Sequence, residues 1–154
     1  MPRHFTALLK LYARGRRAPP DRPPAQVPLR ARQIGNIQCN LDRAGIVLQL
    51  GKAKSTVDDL ASSPALQNVS DIQTVQDGIA GAQGAVGVIA KALLSGQTAP
   101  ADARDQVAGN LTSATTALST ITSTDADATD SLAKAQQQLN SAISFGQGVV
   151  ANCK

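Results

Sequence analysis

Four segments of this 154-residue chain carry apolar residues at alternating spacings of three and four, and this pattern limits the fold more than any other feature. The most regular repeat consists of Val107, Leu111, Ala114, Leu118 and Ile121. A stripe with this period lies along one side of an α-helix, and a stripe this narrow is buried when helices pack side by side. The pattern therefore predicts amphipathic helices that bury their stripes against one another.

Capping residues and helix breakers set the predicted helix boundaries. Asn40 is a good N-cap with Asp42 in the following turn, and Pro64 ends the first helix. Gly96 is placed to terminate the second helix, and Pro100 occupies a first-turn position of the third. The predicted helices run over residues 40–61, 70–95 and 100–122, and from the segment STDADATD to about residue 151.

The helices are similar in length and their connections are short, which makes sequential neighbours antiparallel. The chain has no Trp, one Tyr and two Phe, so small aliphatic residues must fill the core. These features predict an all-α fold, an antiparallel up-down-up-down four-helix bundle over residues 34–154. No apolar run approaches the roughly 20 residues that a membrane-spanning helix needs.

Two cysteines flank the predicted bundle. Cys39 stands just before the first helix and Cys153 just after the last, and the predicted topology brings these two positions to the same end. We therefore expect a disulfide between them, which would close a loop of more than a hundred residues. A disulfide implies an oxidising compartment, so we expect an extracellular or cell-wall location. The patterns NVS at Asn68 and NLT at Asn110 are N-glycosylation acceptors, which agrees with secretion.

Residues 1–33 differ in composition from the rest of the chain. They hold eight of the fifteen Lys and Arg with one acidic residue, and five prolines fall between residues 19 and 28. We interpret this segment as a disordered basic arm, as a targeting segment of mitochondrial type, or as a start that differs from the mature one. Residues 34–154 hold seven basic residues against ten Asp, so we expect no nucleic-acid partner for the folded domain.

Residues that commonly carry catalysis or bind metals are scarce. The chain has no Glu, and its one histidine, His4, lies in the arm. A Ser-His-Asp triad, a histidine general base and ordinary zinc or di-iron sites are therefore excluded from the bundle. We interpret the pairs Asp58/Asp59 and Asp125/Asp127 as solvated helix-end charges rather than as acid/base or calcium carboxylates. We expect no enzymatic activity, no cofactor and no metal.

The segment GIAGAQGAVG places glycines at positions 78, 81, 84 and 87 of the second helix. No strand precedes it and its period is three, so it is not a phosphate-binding fingerprint. Each glycine costs about 0.5–1 kcal/mol in a helix relative to alanine, and this cost requires a reason. One interpretation is close packing of two helix backbones, and the other is a thin wall beside a pocket for an apolar ligand.

The segments VSDIQTVQDGIAGAQGAV and QVAGNLTSATTALSTITSTDADATDSLAKAQQQLNSAI are Ala/Ser/Thr-rich amphipathic helices with sparse Leu, Ile and Val. In this they resemble the small secreted fungal hydrophobic surface-binding proteins, which are related to cell wall galactomannoproteins. The resemblance covers residues 69–150 and implies a helical, secreted or wall-associated protein that binds apolar surfaces or lipids. The cysteine pair and the basic arm depart from the family pattern, and no single binding residue is carried over.

Three functional hypotheses follow from these observations. The first is a non-catalytic secreted protein that binds a fatty-acid-like ligand or an apolar surface. The second is a structural protein of the cell wall or extracellular matrix, with wall polysaccharide as its partner. The third is an intracellular adaptor whose basic arm makes the contacts. Residues that would line an apolar ligand site, each equally explicable as plain core, are Ile79, Val86, Ile89, Leu111, Leu118, Leu139 and Ile143.

Overall fold

The computed structural model describes residues 36–153, which form four α-helices. These helices are α1 (Ile37–Ser62), α2 (Ser70–Leu94), α3 (Ala101–Thr120) and α4 (Ala126–Asn152). α1 packs mainly against α4 and α2 mainly against α3, while smaller α1–α2 and α3–α4 contacts close the ring. This arrangement confirms the predicted four-helix bundle. The predicted arm lies outside the described residues.

The first helix begins earlier than the sequence predicts. Asn36, not Asn40, is the N-cap, and its side-chain oxygen accepts a hydrogen bond from the backbone N–H of Cys39 at 3.1 Å. Both asparagines suit a cap, but only Asn36 precedes a full helical turn that contains the disulfide cysteine. Cys39 therefore lies in the first turn of α1 rather than before it. Asp42 lies beyond the first turn and is buried, with 5% of its surface exposed.

Other helix ends follow the predicted capping chemistry. Gly96 has φ 72° just after α2, where its N–H bonds the carbonyl of Leu93 and the next N–H bonds the carbonyl of Ala92. This pair of hydrogen bonds is a Schellman motif, which satisfies carbonyls at the end of the helix. The Asp125 side chain caps α4 by accepting from the backbone N–H of Ala128 at 2.8 Å. Pro100 differs from the prediction, because it stands one residue before α3, at the N-cap position, and not in the first turn.

The core is built from the predicted stripes together with one residue from a loop. All five residues of the stripe predicted from Val107 to Ile121 are buried, and Leu66, in the turn after α1, is also buried at 1% exposure. The stripe of α1 is buried as well, and it consists of Ile46, Leu50, Ala53, Val57 and Leu60. In the second part of α2, Ala85 and Ala92 are buried while Val86 and Ile89 are only half-buried. The small side chains of α2 are thus enclosed, and its larger ones stand partly outside the core.

A polar contact joins α1 to α2 on the surface. Asp58 forms an ion pair with Lys54 one turn earlier and accepts a hydrogen bond from Gln76 of α2 at 2.9 Å. The hydrogen bonds from Lys54 and Gln76 favour the carboxylate and lower the pKa of Asp58, although slight burial opposes them. Asp58 therefore tethers two helices while it remains partly exposed to solvent.

Candidate functional site

A disulfide between Cys39 and Cys153 joins the first turn of α1 to the C-terminus of α4, as predicted. The two Cα atoms are 5.0 Å apart, within the normal range for a disulfide. Cys39 is fully buried, and the backbone N–H of Cys153 bonds the carbonyl of Val149 at 2.9 Å. The two cysteines are 114 positions apart in the sequence. The disulfide therefore closes a long loop and joins the start of α1 to the end of α4.

Beside the disulfide, side-chain amides of α1 and α4 surround the buried Asp42. Asn152 donates to one carboxylate oxygen at 2.8 Å, and Gln38 donates to the other at 3.0 Å. The Asn36 amide donates to the backbone carbonyl of Asn152 at 2.7 Å. We name the disulfide, the carboxylate residue Asp42 and the two amide residues Asn36 and Asn152 the terminal clasp. A buried carboxylate is tolerated only with such partners, so the clasp fixes the α1–α4 geometry.

Two glycines permit α1 and α4 to approach closely next to the clasp. A Cβ on Gly148 would lie 2.7 Å from the Asp42 carboxyl carbon, and a Cβ on Gly45 would lie 2.5 Å from the Phe145 ring. Both distances are shorter than real carbon contacts, so neither position accepts a side chain without movement. Sequence reasoning missed this pair. Its only signal was that α1 and α4 each carry glycines inside otherwise regular helices.

Close packing, the first of the two predicted interpretations, accounts for only part of the glycine series of α2. A Cβ on Gly78 would meet the Asn110 carbonyl oxygen and the Ala114 Cβ of α3, both at 2.9 Å. A Cβ on Gly81 would meet the Asn110 side chain at 2.8 Å, whereas Gly84 and Gly87 have no such neighbour within 4 Å. Close helix packing therefore accounts for the first two glycines only.

The two predicted glycosylation sites have different surroundings. Asn68 is exposed in the connection between α1 and α2, where a glycan has room. Asn110 is half-buried with its amide over Gly81, in the interface of α2 and α3. Both remain predictions, and the geometry favours Asn68.

The seven predicted ligand-lining residues all belong to the hydrophobic core cluster or pack against it. Ile79, Leu111, Leu118 and Leu139 are buried core residues, while Val86, Ile89 and Ile143 are half-buried against that core. A surface depression of about 550 Å³ lies along α4 between Ala133 and Phe145, and another of about 260 Å³ lies between α1 and α2. Of the seven residues, only Ile79 borders either depression.

The two ends of the bundle differ in how completely the core is covered. We name residues 36–49, 83–110 and 140–153 the disulfide half, and residues 50–82 and 111–139 the acidic half. In the disulfide half only Ile46 and Val107, among its Leu, Ile and Val residues, are buried. In the acidic half Val69 is the one Leu, Ile or Val residue that is not fully buried. The hydrophobic core is therefore concentrated in the acidic half.

Every large hydrophobic side chain that is strongly exposed within residues 36–153 lies in the disulfide half. They come from α1, α2 and α4, with exposures from 53% to 89%. They are Ile37, Leu41, Val47, Leu48, Val88, Leu94 and Val150. Single exposed aliphatic residues are normal, but seven gathered at one end mark a candidate contact surface. We name these seven residues the apolar cap.

Net charge is concentrated in the half of the bundle that lacks the apolar cap. The disulfide half contains three Asp and three Lys or Arg, so its net charge is zero. The acidic half holds seven Asp and three Lys, a net charge of −4. None of the described helices is long and apolar enough to cross a membrane. No group of three or more His, Cys, Asp or Glu side chains in residues 36–153 is placed to hold a metal ion.

Comparisons of the chain with protein families, with curated proteins and with solved structures found no match. The clasp, the apolar cap and the charge distribution are the features of the described residues that bear on function.

Proposed function

We propose that this chain is a non-catalytic, secreted helical protein that binds apolar surfaces. The observation that carries the proposal is the apolar cap. When a partner covers aliphatic side chains that are in contact with water, the free energy of the system falls. The disulfide supports secretion, since cytosolic proteins generally keep their thiols reduced.

A surface suits the cap better than an enclosed ligand does. Four of the predicted lining residues are sealed inside the core, and a ligand there would have to displace packed side chains. The cap residues already face solvent, so contact through them requires no opening of the bundle. The three half-buried candidates, Val86, Ile89 and Ile143, lie in the same half and would add apolar area to the contact.

The resemblance to hydrophobic surface-binding proteins points to the same class of function. It covers residues 69–150 and so does not include Leu41 or Leu48 of α1. The contribution of α1 is argued from its exposed side chains alone.

Depletion of the full-length oxidised protein from solution by octyl-coated silica beads tests the proposal. Leu41 and Leu48 are 57% and 56% exposed, so replacing both with Gln removes apolar contact area and disturbs little of the core. Burying the exposed part of each Leu contributes about 1 kcal/mol, and losing two corresponds to roughly 30-fold weaker adsorption. Leu and Gln have similar helix propensities, so the bundle itself is expected to persist.

The matched control is the double variant Ala126→Gln and Ala133→Gln, at exposed positions of α4 in the acidic half. We expect it to adsorb as the wild type does. Equal adsorption of the wild type and Leu41→Gln/Leu48→Gln would contradict the proposal. Saturable binding of a fluorescent fatty acid at micromolar protein that survives this double substitution would instead support an enclosed ligand site.

A further inference from the structure

Part of the apolar cap forms a continuous face along one side of α1. Ile37, Leu41, Ala44 and Leu48 are exposed and are spaced four, three and four, so they share the side of α1 that is opposite its buried stripe. They span about 17 Å of the helix at a rise of 1.5 Å per residue. The same side continues with Gly51, so the apolar part of this side is confined to residues 37–48.

Leu94 of α2 extends this face at the start of α1. The hydrogen bond between Gln76 and Asp58 sets the register of α2 against α1. Leu94 lies 18 residues, or five whole turns, after Gln76 and is therefore on the side of α2 that faces α1. Asn40 lies 18 residues before Asp58, so Leu94 is level with the first turn of α1. We name the following residues the α1 face: Ile37, Leu41, Ala44, Leu48 and Leu94.

No exposed carboxylate of α1 stands beside this face. Before Asp58 the one acidic residue of α1 is Asp42, and it is buried with its amide partners. The other acidic residues of the disulfide half, Asp102 and Asp105, are on α3, which does not pack against α1 within the described bundle. Asp58 itself lies about 15 Å beyond Leu48 along the helix. An anionic surface would therefore meet no exposed carboxylate of α1 at this face.

The basic segment of the chain is joined directly to the α1 face. Residues 1–33 hold eight Lys and Arg and one Asp, and Asn36 is the N-cap immediately before Ile37. A chain spans at most about 3.6 Å per residue, so the Cα atom of Arg32 lies within about 14 Å of that of Asn36, and that of Arg30 within about 22 Å. Covalent geometry alone therefore holds positive charge beside the α1 face. At the same end, Lys154 follows the second disulfide cysteine.

An anionic lipid bilayer matches both features of this end. Its headgroups are opposite in charge to the basic segment, and its acyl chains accept aliphatic side chains. A nucleic acid would neutralise the basic segment but would leave the α1 face in water. A second copy would cover the face but would bring two segments of the same charge together.

The geometry points to peripheral attachment of this protein to an anionic lipid bilayer, with the α1 face at the acyl boundary and the basic segment among the headgroups. This inference rests on the proposed function and adds the chemical class of the apolar surface. Residues 37–48 of α1 lie along the bilayer, while the acidic half, with its net charge of −4, remains in water. The terminal clasp holds α4 to the attached helix, so the whole bundle is carried by α1.

Co-sedimentation of the oxidised full-length protein with vesicles tests the inference. One set of vesicles is phosphatidylcholine, and the other is an equal mixture of phosphatidylcholine and phosphatidylserine. Each Arg near an anionic surface strengthens binding about fivefold, so Arg30 and Arg32 alone predict roughly 30-fold tighter binding to the mixed vesicles. Added salt should weaken this binding, because it screens the attraction.

Two double variants separate the contribution of the charge from that of the α1 face. Arg30→Gln/Arg32→Gln should bind the mixed vesicles roughly 30-fold more weakly. Leu41→Gln/Leu48→Gln should also weaken that binding roughly 30-fold, because the basic segment then acts without the apolar contact. Circular dichroism of every variant checks that the helix content is unchanged.

The matched control, Val88→Gln/Val150→Gln, alters two cap residues outside the α1 face. Val88 is three and a third turns from Gln76, and Val150 is two residues from Gly148, whose position faces Asp42. Neither side chain is on the side of its helix that faces α1. We expect this control to bind the mixed vesicles as the wild type does.

Tryptophan reporters locate the contact, because the chain contains no Trp of its own. Leu94 is 89% exposed and Val150 is 73% exposed, so Trp at either position leaves the core unaltered. On binding to the mixed vesicles, we expect the emission of Leu94→Trp to move to shorter wavelength and to lose iodide quenching. We expect the emission of Val150→Trp to keep both its wavelength and its quenching.

The outcomes separate this inference from the proposed function. Equal binding to both kinds of vesicle, or binding to neither, would overturn the inference, and depletion by octyl-coated silica would still support the proposed function. Failure to bind vesicles and silica alike would overturn both. Binding to the mixed vesicles that survives Leu41→Gln/Leu48→Gln would show that the basic segment acts alone, which overturns the role of the α1 face.

Shielding of the Trp at position 94 in the free protein would also overturn the inference, because the α1 face would then have another occupant. Shielding that depends on protein concentration would identify a second copy, and shielding that is independent of it would identify residues 1–35.

Discussion

Replacing Gly78 and Gly84 with alanine, one at a time, should change stability in opposite directions. Both glycines lie in α2, two turns apart, and differ in what a new Cβ would meet. At position 78 the methyl group would lie 2.9 Å from the backbone oxygen of Asn110 and 2.9 Å from the Cβ of Ala114. At position 84 it would meet nothing within 4 Å.

The magnitudes follow from two opposing contributions. Alanine stabilises a helix by about 0.5–1 kcal/mol relative to glycine, which is the whole effect expected for Gly84→Ala. Overpacking costs about 1–3 kcal/mol, and at position 78 a backbone atom must move to relieve it. Gly78→Ala should therefore lower the free energy of unfolding by about 1 kcal/mol, which is the difference between the midpoints of the overpacking cost and of the gain in helix propensity.

Urea unfolding of the oxidised protein, followed by circular dichroism at the helix band, measures both changes. Gly87→Ala, also in open space, serves as a second control and should match Gly84→Ala. Gly81→Ala should fall between, because its obstacle is the movable Asn110 side chain. If Gly78→Ala proves as stable as the wild type, the α2–α3 backbones do not approach as described and the packing explanation of this glycine is wrong.

Three further predictions concern the disulfide, a surface carboxylate and a buried amide. Replacing both Cys39 and Cys153 with Ala should lower the free energy of unfolding by up to about 4 kcal/mol, because the unfolded chain regains its loop entropy; urea titration with and without reductant checks this. Because the pKa of Asp58 is lowered below its ordinary value of 3.8, its stabilisation exists above that value and disappears as pH falls through the folded pKa. Melting curves should thus show the wild type above Asp58→Asn at pH 6 and the difference closing in acid. The Gln138 side-chain oxygen is buried without a hydrogen-bond partner, so Gln138→Met should raise the unfolding free energy by about 1 kcal/mol, measured by the same titration.

The helices and their antiparallel order were predictable because they depend on local rules. The stripe spacing, the glycine after α2 and the helix caps each act within a few residues. Gly96 ends α2 as predicted, and α4 begins in the predicted segment STDADATD with Asp125 as its cap. The disulfide was also predictable, because topology alone brings the two chain ends together. The start of α1 was misplaced because Asn36 and Asn40 are equally good caps locally. What distinguishes them is the contact of Asn36 with Asn152, 116 positions later.

The apolar cap was not predictable from periodicity. In α1 the residues Ile37, Leu41 and Leu48 fall on the side opposite the buried stripe, so this helix carries apolar residues on two opposite sides over its first three turns. The sequence shows this only as a weakened amphipathic pattern. Val86 and Ile89 are half-buried against the core, and the degree of burial depends on contacts between helices, which the spacing of residues along one helix does not determine.

The clasp and the cap occupy the same end of the bundle for a physical reason. Large aliphatic side chains in the disulfide half contribute little to the core, because only Ile46 and Val107 among them are buried. An end with so little burial would fray, since the hydrophobic gain would not offset the entropy of ordering the helix termini. The disulfide reduces the entropy of the unfolded chain, and the hydrogen bonds to Asp42 fix the geometry of α1 against α4. Covalent and polar contacts thus replace core packing at this end, and the aliphatic side chains there are left free to contact a surface.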